Sequence, residues 1–251
     1  MPSFPVICFI GITFLIAGWV KGVVGMGLPT VAMGALGLLM TPVEAASLLI
    51  IPSLVTNIWQ FAAGGSKRLI AKRLATMLLG VCLGTAMSIA WLSSDSSHWP
   101  SILLGAVLAV YGLTALFLPP LLVQPQLEKK LSPLIGLVTG AIAGATGVFV
   151  IPAVPYLNAL GLARDDLVQA LGLSFTVSTI ALAIGLGMHQ QFSSASLTTS
   201  LVALIPALIG MQIGQITRLR INPVAFRYWF LLCLLFLGSY MVIRGLLSQL
   251  S

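Results

Sequence analysis

Charge is what this chain most lacks. Only 7% of its 251 residues are Asp, Glu, Lys or Arg, five acids against twelve bases, while 59% are hydrophobic. A soluble protein of this length buries a large core but still covers its outside with far more charge, so the composition demands a lipid-embedded fold. Scarce acids also remove most hydrolytic chemistry. No carboxylate pair lies inside an apolar run, and there is no HExxH helix, GxSxG elbow or P-loop, so neither an enzyme nor an ATPase is expected.

Cysteine and histidine are equally sparse. Cys8, Cys82 and Cys233 stand in apolar runs at unrelated spacings without a CxxC pair, which fits packing residues better than a disulfide or metal frame. His98 and His189 fall in connecting segments with no acid or cysteine beside them, so no metal and no other cofactor is expected. The net charge of +7 is not laid out as a basic stripe interleaved with aromatics, which argues against a nucleic-acid partner. The N-terminal MPSFPVICFIGITFLIAGW lacks a basic n-region and a cleavage site, and is expected to stay as the first membrane segment.

Apolar runs, by contrast, are plentiful: 4–20, 27–41, 44–63, 73–92, 101–118, 132–148, 149–161, 167–187, 195–216 and 226–247. Six are long enough to cross a hydrocarbon core of about 30 Å, and the lipid bilayer is the implied surrounding. Gly18, Gly22 and Gly25 recur in register as Gly140, Gly144 and Gly147, with Glu44 and Asp166 at the same offset. The expected fold is therefore all-α and polytopic, with two repeats (1–122 and 132–251) joined by a cytoplasmic linker (123–131). Each repeat holds a short, glycine-broken helix pair followed by three full transmembrane helices.

Lys67, Arg68, Lys72 and Arg73, then Lys129 and Lys130, then Arg218, Arg220 and Arg227 occupy connections that should share the cytoplasmic side. If each short pair returns to its starting side, the repeats are inverted and both termini lie outside. Thr41-Pro42 with Glu44 reads as a capping box, and Ser132-Pro133 and Asn222-Pro223 as helix starts. Glu44 and Asp166 are thus read as first-turn caps rather than a proton relay.

The glycines admit two readings. G-x-x-x-G is a common helix-packing face, but Gly25, Gly27 and Pro29, and Thr146, Gly147, Pro152 and Pro155, break both helices just beyond it. Backbone amides freed at membrane depth need a partner, and half-helix N-termini favour an anion. Lys21 is the base nearest either break, and its repeat counterpart is Ala143. It either sits inside the membrane and needs compensation or snorkels at an interface. Ser53, Thr56, Asn57 and Gln60 share one helical face, and Gln169, Ser174, Thr176 and Ser178 supply comparable groups in the second half; either set serves helix–helix hydrogen bonding or a small oxyanion.

The runs GWVKGVVGMGLPTVAMGALGLLMTPVEAASLLIIPSLVTNIWQ and GAIAGATGVFVIPAVPYLNALGLARDDLVQALGLSF together resemble the TauE/SafE sulfite exporter family of bacterial membrane permeases. The resemblance spans nearly the whole chain. It supports Gly22, Gly25, Gly27, Pro29, Pro52 and Asn57 in the first half, and Gly144, Thr146, Gly147 and Tyr156 in the second. Met26, where the family often has an aromatic residue, and Val150, where a glycine more usually follows the phenylalanine, depart from the pattern.

The resemblance implies an inner-membrane permease of small anions, sulfite or organosulfonates. Joined to the residue reading, it makes the expected activity secondary export of a small anion by alternating access at a midplane site. The expected substrate-binding residues are Lys21, Gly22, Gly25, Gly27, Pro29, Asn57, Gln60, Gly144, Thr146, Gly147, Gln169 and Ser174. The alternative is a non-transporting membrane scaffold or assembly subunit, and self-association into a homo-oligomer is left open.

Overall fold

The computed structural model describes residues 4–92, 99–118, 122–192 and 194–250. Among them are ten helices and no strand: α1 (Phe4–Val24), α2 (Leu28–Leu36), α3 (Pro42–Ala63), α4 (Lys67–Leu92), α5 (Trp99–Phe117), α6 (Pro125–Thr146), α7 (Ala153–Ala159), α8 (Arg164–Met188), α9 (Ser194–Thr217) and α10 (Pro223–Leu250). Seven of these, all but α2, α6 and α7, are long and apolar enough to cross a bilayer. Bulky side chains such as Leu79, Met87, Phe236 and Ile243 are exposed along them, a surface that only lipid satisfies. The chain is a multi-pass membrane protein.

The expected short pairs are corrected in their first members. α1 has 21 residues and α6 has 22, each about 32 Å long, so only α2 and α7 are short. α1 outruns the apolar segment 4–20 because it carries Lys21 into the protein. α6 begins at Pro125, so much of the expected linker forms its first turns, where a helix clear of hydrocarbon can be charged. Ser132 is accordingly not a cap: it lies buried inside α6, with its hydroxyl 2.6 Å from the Tyr156 hydroxyl.

Other boundaries follow local chemistry. The Thr41–Glu44 box is formed, with Thr41 N donating to Glu44 Oε2 at 2.9 Å and Glu44 N to Thr41 Oγ1 at 3.3 Å. Asn222 Oδ1 accepts from Val224 N at 2.9 Å. Asp166 sits in the first turn of α8, as expected, beside Asp165. The three cysteines are exposed rather than packed, since a thiol is apolar enough to face lipid.

Four helix pairs build the body. α4 runs parallel to α6 and α1 parallel to α9, each pair pressed together at glycine. A Cβ on Gly18 would stand 2.1 Å from Ala207 O, and one on Gly140 would stand 2.1 Å from Val81 O. α3 and α8 cross antiparallel, with Ser53 against Thr179 and Asn57 against Gly172. α5 and α10 do the same, with Gly105 against Met241 and Gly112 against Leu231. When α1–α5 are matched in order with α6–α10, the α1–α9 contact becomes α6–α4, and the two antiparallel pairs map onto themselves.

The basic connections gather on one face. Arg73 at the start of α4 makes a bidentate pair with Glu128 at the start of α6, at 2.7 and 2.8 Å, and reaches Leu160 O at 3.3 Å. Val123 N donates to Ala159 O at 2.9 Å, so the α6–α7 pair returns to the side where it began. The opposite face joins 37–41 to Ser101 and the end of α10. Because the ion pair is partly exposed, Glu128→Gln should cost about 1 kcal/mol, read as a small drop in Tm that shrinks in high salt.

Candidate functional site

Both helix breaks are made by glycine in the left-handed region. Gly25 has φ 81° and its N–H donates to Lys21 O at 2.7 Å; Gly147 has φ 75° and donates to Ala143 O at 2.8 Å. Two residues past Gly25, Gly27 at φ 109° opens α2 with no side-chain cap. Pro29 has no N–H, so the first turn of α2 offers the amides of Leu28 and Thr30, while the Thr30 hydroxyl turns back to Gly27 O at 2.9 Å.

Lys21, in the last turn of α1, is only 3% exposed. Its Nζ donates to Thr56 Oγ1 at 3.1 Å and to Asn57 Oδ1. Asn57 Nδ2 donates to Ser53 Oγ at 3.0 Å, and that hydroxyl lies 3.1 Å from Thr179 Oγ1 on α8. A polar chain therefore crosses from α1 through α3 to α8. It contains no acid, since the four acids among the described residues, Glu44, Glu128, Asp165 and Asp166, all sit in first turns at helix ends. An ammonium buried among neutral oxygens is poorly compensated, and an arriving anion would find it ready to pair.

Two glutamines close this cluster on the basic side. Gln60 Nε2 donates to Gly25 O at 3.0 Å and to Val168 O at 2.8 Å, joining α1, α3 and α8. Gln169 answers from α8: its Nε2 donates to Phe61 O at 2.8 Å, and its Oε1 accepts from Ser66 N at 3.0 Å. Gly64 makes room, since a Cβ there would lie 2.4 Å from Gln169 Cδ. Gln169→Ala should therefore cost about 2 kcal/mol by leaving Phe61 O and Ser66 N without partners, measured as a lower Tm in detergent.

The structure thus brings together Lys21, Gly25, Gly27, Pro29, Asn57, Gln60 and Gln169 around the first break. Gly22 and Gly144 face neighbouring helices instead, where a Cβ would lie 2.3 Å from Met211 O and 2.2 Å from Ser88 Oγ respectively. Gly147 packs against Met33 and Ala46, and Thr146 bonds locally to Ile142 O and Val148 N. Along α3, Ala46 and Asn57 are about 16 Å apart, so the second break stands well away from Lys21.

Asn57 lies about 9 Å from the basic end of α3, below the expected midplane, because α1 runs most of the membrane thickness before Gly25 breaks it. Ser174 and Ser178 are buried with no hydrogen-bond partner for their hydroxyls. Thr179 was not picked out from the sequence, although it stands at the repeat position of Asn57. His189 follows α8 on the face opposite the basic connections, and His98 lies outside the described residues. Lys21, Gly25 and Asn57 line none of three cavities of 440, 380 and 330 Å³. Lys21 and Asn57 are buried, whereas Gly25 at the break keeps partial exposure, with only Val168 Cγ2 near the place of a Cβ, at 3.8 Å.

Membrane-length helices and paired glycine breaks beside a buried lysine are an arrangement that suits a membrane transporter. It belongs to the Sulfite exporter TauE/SafE family, whose profile matches residues 10–241, a span that includes both breaks, five of the membrane-length helices whole and most of α1 and α10. No match was found among curated proteins or solved structures.

Proposed function

We propose that the chain is a secondary exporter of a small anion, sulfite or an organosulfonate, working by alternating access in a bacterial inner membrane. The observation that carries this is Lys21: a buried ammonium held by neutral oxygens beside a helix break. Its charge meets the anion, the α2 amides of Leu28 and Thr30 add donors, and Asn57 and Gln60 turn their amides towards the solute once their present bonds open. From the second half, Ser174 on α8 adds a hydroxyl at about the depth of Asn57, and Thr146 at the second break completes the path on the far side. The antiparallel α3–α8 and α5–α10 pairs support inverted repeats made of α1–α5 and α6–α10, with the glycine-sealed pairs α1–α9 and α4–α6 moving as rigid arms.

An interior-negative potential favours outward movement of an anion by about 2.3 kcal/mol per charge per 100 mV, enough to drive a uniport. Efflux of labelled sulfite and of short alkanesulfonates from liposomes holding the purified protein tests the reading, with flux well above protein-free liposomes expected. The tight glycine contacts also favour a second reading, a membrane scaffold or assembly subunit, for which no solute moves at all.

A further inference from the structure

Away from Lys21, an exposed cation without a carboxylate partner, Arg227, lines a cavity. The 380 Å³ cavity between the end of α5, α7 and the start of α10 is lined by Tyr111, Thr114, Asn158, Arg227 and Tyr228, with Val154, Leu231 and other apolar side chains between them. α5 and α7 carry no charged residue, and α10 carries only Arg227 and Arg244, so none of the three helices brings a carboxylate to the cavity. Among the described residues the ion pair is Arg73–Glu128, and Arg227 has no such partner. The Thr114 hydroxyl and Asn158 Nδ2 are turned back onto their own helices, at 2.7 Å to Val110 O and 2.7 Å to Val154 O. Arg227 therefore supplies the cavity's only positive charge against mostly apolar walls.

That combination selects for shape as well as sign. A compact inorganic oxyanion would satisfy Arg227 but leave the apolar walls uncovered, whereas a hydrocarbon body would cover them. The volume is within the range of small-molecule sites, roughly 300–1,000 Å³. On the inner wall, the buried Tyr111 hydroxyl donates to Met26 Sδ at 3.4 Å, and Met26 lies between Gly25 and Gly27, so the cavity abuts the first helix break.

We propose that this cavity binds an amphiphilic anion, with a sulfonate, carboxylate or phosphate head on Arg227 and a short hydrocarbon body along Val154, Leu231 and Tyr111. Two sources share that chemistry, a soluble organic anion and the headgroup region of an anionic phospholipid. The site is a matter of equilibrium binding and stands apart from transport.

The test is calorimetric titration of the delipidated full-length protein in a non-ionic detergent with methanesulfonate, butanesulfonate and hexanesulfonate. Affinity should tighten about three- to fourfold per added methylene, and hexyltrimethylammonium should not bind. Arg227→Gln should weaken hexanesulfonate binding at least tenfold, while Arg220→Gln, outside the cavity lining, leaves it unchanged. Ala115→Phe, which fills the cavity with Arg227 in place, should abolish the dependence on tail length. Phosphatidylglycerol that co-purifies with the wild type, is released by hexanesulfonate and is missing from Arg227→Gln identifies the lipid as the source; its absence, with hexanesulfonate still bound, identifies the soluble anion. Tail-independent binding, or equal binding by a folded Arg227→Gln protein, overturns the site. None of these readings involves flux, so they neither rescue nor sink the transport proposal.

Discussion

Lys21→Met protein should insert, fold and melt at or above the wild-type Tm, yet move sulfite no faster than protein-free liposomes. The two halves of this expectation have separate causes. Burying an ammonium without a counter-charge costs several kcal/mol, and an apolar side chain of similar length removes that cost. Against it stands the loss of a partner for Asn57 Oδ1, about 1–3 kcal/mol, whereas Thr56 keeps its bond to Pro52 O at 2.7 Å. Stability is therefore kept or improved, and only the charge awaiting an anion is gone. A Lys21→Met protein that transports normally removes Lys21 from the mechanism, and one that melts far below wild type makes it a structural tether.

Gly140→Ala should be among the most damaging single changes in the chain. The added Cβ would meet Val81 O at 2.1 Å and Thr85 N at 2.8 Å, both backbone atoms of α4 that cannot rotate away. Separating two long helices along their contact costs about 3 kcal/mol or more, read as a large fall in Tm or loss of folded protein on size exclusion. Gly18→Ala should match it, since its Cβ meets Ala207 O on α9 at the same distance, 2.1 Å. Gly11→Ala and Gly65→Ala, with nothing within 4 Å, should be close to neutral. Equal damage at Gly11 and Gly140 would mean that close helix approach is not what these glycines provide.

Local features were legible in the sequence because their causes are local. The helix-breaking glycines at 25, 27 and 147 and the Thr41–Glu44 box are written within a few residues of where they act. So was the gathering of basic connections on one face, since hydrocarbon leaves charges nowhere else to go. The start of α6 was not, because hydropathy marks where a helix enters lipid and says nothing of turns built outside it; Ser132 was misread for the same reason. The depth of Lys21 depends on how far α1 runs, and its pairing with Thr56 and Asn57 depends on α3 packing alongside. Gln169 stood out as a polar residue in an apolar run, but its fit against Gly64 belongs to tertiary structure, because only the α3–α8 crossing joins them.

In the proposed mechanism that crossing opens to let the solute reach Lys21 from the basic side. The most direct measurement is sulfite flux through a Gly64→Cys, Gln169→Cys double variant, with Cys8, Cys82 and Cys233 replaced, compared before and after oxidative cross-linking of α8 to the end of α3. Flux should be present in the reduced protein, stop when the disulfide forms and return on reduction. Flux that continues unchanged through a fully cross-linked population, or that never rises above protein-free liposomes in the reduced state, would contradict the account.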